Sequence, residues 1–272
     1  MDLFSTAASP DRDPQLAGPD ALNGDAALRR KPLPSPATRL GGALRLLGRV
    51  GVLADIGCDH GRFGVLALRA GLAERVIASD VSAPSLEKAR VLARREGLQH
   101  RFVFHCCSGF SKLSPGEADA AVLLGMGGEL IADILNDGAK TAHSLMRIVM
   151  QPMRGEAELR RFLHENGYLI EDEAVAFEGG RGYQLIAARF LGPKPIPLPE
   201  GFPDGYYQFG ALAVLRRDEL LLPMMERYLS IINKKLEKAK KCGKLPPTLV
   251  REAQSTERLI ELYNQTPNGK VK

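Results

Sequence analysis

Three short segments of this chain put acidic residues and glycines where small-molecule chemistry is done. In Asp55-Ile56-Gly57-Cys58-Asp59-His60-Gly61-Arg62-Phe63-Gly64 the spacing is D-x-G-x-x-x-G. Such a turn needs positive φ angles and close backbone approach to a ligand, both of which a Cβ atom excludes. A helix opening behind it offers free N–H groups and partial positive charge, which suits a carboxylate such as that of a methionine moiety. A dinucleotide-binding turn would read G-x-G-x-x-G instead; a tight structural turn without a ligand is the alternative. Asp80 lies 23 residues beyond Gly57. A carboxylate there can accept hydrogen bonds from both hydroxyls of a ribose, although a helix-capping Asp is an alternative and nicotinamide enzymes use the same device. The third segment, Gly125-Met126-Gly127-Gly128, leaves backbone N–H and C=O groups bare and able to meet the edge of a base. Asp59 and His60 are candidates for the reaction itself, with support of the turn as the competing role.

These segments need a scaffold, and strands alternate with helices around them. Leu40, Leu44, Leu46 and Leu47 predict a helix from about residue 38. Strand-like runs follow at 51–56, 75–79, 102–106, 118–124 and 147–150. Helical patterns fall between them at 62–70, 87–96 (Ser82 as N-cap, Pro84 in the first turn), 129–135 and 156–165. That alternation implies parallel β-α-β units in a doubly wound sheet. Two further runs, 169–177 and 183–190, are separated only by Glu178-Gly179-Gly180-Arg181-Gly182, which fits a hairpin. The expected fold is therefore α/β: a Rossmann-like sheet ending in an antiparallel hairpin, the layout of class I methyltransferases. Asp80 and Gly125 then fall at carboxyl ends of strands, where open α/β sheets bind ligands.

Residues 1–36 lack periodicity and read as a disordered tail carrying an Arg29-Arg30-Lys31 cluster. Residues 37–191 form the expected cofactor domain, 192–205 a proline-rich linker, and 206–272 a helical domain. In the last, Leu229, Ile232, Leu236 and Ala239, then Leu249, Ala253, Ile260 and Tyr263, predict two helices turning at 243–247. They form a coiled-coil-like α-helical hairpin. Six lysines stand between 234 and 244 against one acid, Glu237. Lys234, Lys235, Lys240 and Lys241 are candidate phosphate contacts, with a solvated helix face as the bland alternative. Arg154, Arg160 and Arg161 offer another basic surface. The net charge of +5 and pI near 9.0 permit a polyanionic partner. No apolar run suits a membrane span, and Met1-Asp2-Leu3-Phe4 is unlike a secretory signal, so a cytoplasmic protein is expected. Cys58, Cys106, Cys107 and Cys242 contain no C-x-x-C pair. They read as ordinary buried thiols; on a strand, His105-Cys106-Cys107 would alternate between faces, so no metal site is expected.

Together the segments resemble the bacterial tRNA (adenine-N1)-methyltransferases that modify adenosine at tRNA position 22. The matching stretches are Arg39-Leu40, Ala54 to His60, Gly125 to Ile131, Gln151-Pro152, and Leu163 to Leu185 with Asn166-Gly167-Tyr168. The resemblance implies S-adenosyl-L-methionine as cofactor and tRNA as partner; no membrane and no obligate protein partner are expected. It assigns cofactor binding to Asp55, Gly57, Cys58, Asp80, Ser108 and Gly125. Catalytic roles fall to Asp59, His60, Gly125 and Met126. Substrate contacts fall to Met126, Gly127, Gln151 and Arg154, with the four lysines. One departure stands out: the family usually carries Gly-Asp-Gly after the third strand, where this chain has Cys107-Ser108-Gly109. The alternatives are a similar methyltransferase acting on another RNA or a small molecule, and a non-catalytic RNA-binding protein with a vestigial cofactor site.

Overall fold

The computed structural model describes residues 32–196, 205–243 and 245–265, and those from Leu33 onward belong to one compact unit. The Arg29-Arg30-Lys31 cluster, Lys244 and most of the expected tail and linker lie outside the described residues. Among the described residues, seven strands form one sheet: β1 (Val52–Ile56), β2 (Arg75–Asp80), β3 (Phe102–Cys106), β4 (Ala120–Met126), β5 (Arg147–Pro152), β6 (Tyr168–Glu178) and β7 (Arg181–Phe190). Their order is β3-β2-β1-β4-β5-β7-β6. The first five run parallel, β7 is antiparallel to β5, and β6 pairs antiparallel with β7. The central strands are nearly continuous apolar runs because helices cover both faces of a parallel sheet; Leu53, Ala54, Ala120, Ala121, Val122 and Leu123 are fully buried.

The flanking helices are α1 (Arg39–Leu47), α2 (Arg62–Arg69), α3 (Ala83–Arg95), α4 (Gly128–Asp137), α5 (Ala139–Ala142) and α6 (Glu156–Glu165). Ser82 caps α3 as expected, accepting from Ser85 N at 3.2 Å. Ser35, read from the sequence as part of the tail, instead leads into α1: its carbonyl accepts from Thr38 N at 2.9 Å and from Thr38 Oγ1 at 2.7 Å. A short Pro-rich stretch carries no periodic pattern, so this docking has no sequence signature.

Among the described residues, the C-terminal region holds four helices rather than the two expected: α7 (Tyr206–Phe209), α8 (Ala211–Leu215), α9 (Leu221–Lys241) and α10 (Pro247–Gln265). The first two are too short to show a helical period. They matter because they seat the rest. Phe209, Val214, Leu221, Met225, Leu259 and Tyr263 form one apolar cluster with Val175 of β6, with Phe177 packed against it. Farther out, Ile232, Leu236 and Ala253 join α9 to α10. Of the four cysteines expected to be buried thiols, Cys58 is buried, but Cys106 and Cys242 are exposed and Cys107 is half-buried. Cys106 ends an edge strand and Cys242 follows α9, so neither is covered by a second layer.

Candidate functional site

The carboxyl ends of β1, β2 and β4 open onto a cavity of about 860 Å³. Asp55, Gly57, Cys58, Asp59, His60, Asp80, Ser108, Gly125 and Met126 all line it. The turn after β1 is fixed first: the N–H groups of Gly57 and Cys58 both donate to Ser79 O, at 2.8 and 3.0 Å. Gly57 has φ +67°. A Cβ there would stand 2.1 Å from Met126 Cε. Glycine therefore lets Met126 fold over the first turn and brings two distant motifs into contact.

Asp80 ties both loops at the floor. Its Oδ2 accepts from Asp59 N at 3.0 Å, and its Oδ1 from Ser82 N at 2.8 Å. Each carboxylate oxygen keeps a second lone pair for a ligand. Asp55 is 4% exposed, and its Oδ2 accepts from Gly64 N at 3.1 Å. Burial pushes its carboxyl up to about 7; the Gly64 bond opposes this and the charge of Asp80 adds to it. Burial, then the carboxylates of Asp55, Asp80 and Asp59, push the Cys58 thiol well above its ordinary range. Cys58 is thus a neutral wall residue and not a nucleophile.

Asp59 sits in the left-handed region at φ +48°, and its Oδ1 lies 3.4 Å from His60 Nε2. His60 Nε2 is also 3.3 Å from Lys88 Nζ. Gly125 stands at a bulge between β4 and β5, with φ +80°. Met126 O accepts from Met153 N at 2.7 Å, and Gly128 N donates to Arg154 O at 2.8 Å, so the end of β5 holds the glycine loop. Ser108 lines the cavity at the position discussed above.

The substrate residues divide. Gly127 caps α4 beside the exposed Arg154, and neither lines the cavity. Gln151 is fully buried, which corrects its assignment as a substrate contact. Its Oε1 accepts from Arg39 Nη1 at 3.2 Å and its Nε2 donates to Pro152 O at 2.7 Å. It holds Arg39, and Arg39 is the residue that reaches the cavity. Lys234, Lys235, Lys240 and Lys241 are exposed on α9, away from the cavity lining. Lys234 and Lys241 share one surface groove with Lys238, whereas Lys240 pairs with Glu237 at 3.4 Å. Arg160 is 1% exposed and ion-paired, so it cannot belong to a basic surface.

Arg39, Met153, Glu178 and Tyr183, which no local motif marks as site residues, also line the cavity. Arg39 looked like the first residue of a leucine-patterned helix, and the others like hairpin or loop residues. Only tertiary packing brings them together.

Among proteins of known sequence, this chain is similar to the tRNA (adenine(22)-N(1))-methyltransferase of Bacillus subtilis, 31% identical over 137 residues. That match covers 50% of this chain and 58% of the relative, so the chain spans less than two thirds of the curated relative it matches. Solved structures share the fold, two of them as follows. The B. subtilis m1A22 tRNA methyltransferase has a TM-score of 0.69 at 22% identity, covering 86% of this chain and 99% of that one. A Streptococcus pneumoniae protein solved with S-adenosyl-L-methionine has a TM-score of 0.71 at 21% identity, covering 82% and 98%. The methyltransferase-domain family matches residues 37–186, more than half of the chain, and together with the seven-stranded sheet and its cavity this makes the chain a member of that family.

Proposed function

We propose that this protein is an S-adenosyl-L-methionine-dependent tRNA methyltransferase that methylates N1 of the adenosine at tRNA position 22. The observation that carries the reading is the convergence of the D-I-G-x-D-H turn, Asp80 and the G-M-G-G loop on one cavity. The name of the B. subtilis relative and the ligand of the S. pneumoniae neighbour support it.

The residues fit this cofactor. Gly57 keeps the floor clear of a Cβ, Asp80 retains acceptor capacity for a ribose diol, and Asp55 is a buried carboxyl whose charge a cationic ligand would restore. When bound, the cofactor supplies a methyl group on a sulfonium centre. Adenine N1 is a neutral nucleophile with its lone pair in the ring plane, so the chain need provide no general base. Its residues instead align the base and exclude water. N1 lies on the Watson–Crick edge, so the base must leave its stack to enter the cavity. As positive charge enters the ring, the Gly125 carbonyl and Asp59 serve as acceptors for the N6 amino group. Met126, folded over Gly57, packs against the incoming base. We assign residues 37–191 to the cofactor and 206–272 to tRNA, joined through 192–205, and place the protein in the cytoplasm with its substrate. Among the described residues, no helix is long and apolar enough to cross a membrane.

The test is mass spectrometry of nucleosides from tRNA incubated with the protein and labelled cofactor. The expected product is 1-methyladenosine, with reverse transcriptase stalling at position 22. Guanosine at that position should abolish transfer, because guanine N1 carries a proton. A methyl group on N6, on a ribose or at another position overturns the assignment.

A further inference from the structure

A base drawn out of its stack needs a surface to lie on, and the G-M-G-G loop contains no ring. Three rings line the cavity: Phe63, His60 and Tyr183. Phe63 is 4% exposed and belongs to the core. His60 is taken up by Asp59 and Lys88. Tyr183 remains, half-buried near the start of β7 and on the wall shared with Arg39 and Glu178.

Two guanidinium groups lie near this ring, each close to the outer limit of cation–π contact. The Arg39 guanidinium carbon stands over it at 5.9 Å from the centroid, and that of Arg181 at 5.6 Å. Neither arginine is loose. Arg39 donates to the buried Gln151 Oε1, and Arg181 Nη2 donates to Met153 O at 2.9 Å. Both anchors lie at the end of β5, the strand beside the glycine loop. Arg39 also reaches that loop: its Nη1 is 3.6 Å from where a Cβ on Gly125 would be. The ring is therefore registered against Gly125 through side chains fixed to β5.

We propose that Tyr183 is the stacking platform for the acceptor base, with Arg39 and Arg181 as positioning residues that hold its ring. This rests on the methyltransferase reading above and adds the surface that receives the purine. Stacking of a base on an aromatic side chain is sequence-tolerant and contributes about 1–3 kcal/mol in other proteins, equivalent to roughly 5- to 150-fold. Because most tRNA affinity comes from phosphate contacts, the loss should appear in turnover far more than in overall binding.

Two measurements test it. In the first, Tyr183→Leu should lower kcat/KM for tRNA by roughly 5- to 150-fold, and Tyr183→Phe should recover most of it. Cofactor affinity, measured by calorimetry, should match wild type in both and so report an intact core. A Tyr183→Leu enzyme within twofold of wild type overturns the platform. In the second, full-length protein saturated with S-adenosylhomocysteine is irradiated with a tRNA transcript containing 8-azidoadenosine, and the crosslinked peptides are mapped. Label on the Tyr183 peptide is expected; label only elsewhere overturns the proposal. If Tyr183 is labelled but no 1-methyladenosine forms, the reaction reading fails and the platform stands. If 1-methyladenosine forms with Tyr183 unlabelled and dispensable, the platform fails and the reaction reading stands.

Discussion

Asp55 carries the most consequential single carboxyl of the cavity. Burial raises it from an ordinary 3.8 to about 7, so the folded protein prefers its protonated form. That preference stabilises the fold fully below the unfolded value and is lost as pH rises through about 7. The ligand-free protein should therefore lose stability between about pH 4 and pH 8, on the order of 4 kcal/mol from this group. Asp55→Asn should flatten the melting midpoint across that window; an unchanged slope in the variant removes the buried-carboxyl argument. A cationic cofactor favours the ionised form, so its affinity for wild type should rise over the same range. Ser108 gives a second prediction. It lines the cavity without a charge, and Ser108→Asp should tighten cofactor binding by adding a charged acceptor. A weaker calorimetric affinity in the folded variant would mean that this wall is built differently. That Asp55, Gly57, Asp80, Gly125 and Met126 share one cavity was legible because the glycine and acid spacing of strand-to-helix turns is local. Gln151 was misread because nothing in the sequence distinguishes a fully buried amide from one facing the ligand. Arg39 and Tyr183 were missed because each reaches the cavity from an element remote in sequence.

At the level of elements, the joint between α6, the β6–β7 hairpin and the C-terminal helices is a buried ion pair. Arg160 Nε donates to Glu173 Oε1 at 2.8 Å, with both side chains 1% exposed. Arg160 also donates to Gln184 Oε1 and to the carbonyl of Tyr207, while Glu173 Oε2 accepts from Leu212 N at 3.0 Å. Removing one partner leaves the other charge buried and alone, at a cost of about 3–5 kcal/mol. Glu173→Gln and Arg160→Met should each lower stability by about that amount in urea denaturation. Arg160→Met combined with Glu173→Gln should lose less than the two single effects added together. Strict additivity would show that the pair does not act as a unit. Gly210 belongs to the same joint: it has φ +80°, and a Cβ there would stand 2.1 Å from Glu173 Oε1. The sequence showed α6 correctly, but it placed Arg160 on a solvent-facing basic surface. Charge alone suggested exposure, and the partner that buries it arrives from β6.

For the molecule as a whole, the parallel sheet and its terminal hairpin were readable from the alternation of strand and helix patterns. The seating of the C-terminal helices was not, because it depends on the short α7 and α8 and on apolar residues shared with β6. That seating decides how the proposed tRNA binding should be tested. Cutting the chain near residue 192 would uncover Val175 and Phe177 and strip Arg160 and Glu173 of partners, so any lost tRNA affinity would be confounded with misfolding. The exposed face of α9 offers a cleaner probe. Lys234, Lys238 and Lys241 share one groove there, whereas Lys240 is paired with Glu237. Changing the three to Gln removes charge without touching the cluster that seats α9. If each contacts a phosphate, the slope of log affinity against log salt should become shallower by about 2–3, with weaker binding at low salt. Cofactor affinity and melting midpoint should stay at wild-type values. An unchanged slope would move the proposed RNA surface off α9 and toward the cavity, where Arg39 and Arg181 already stand beside Tyr183.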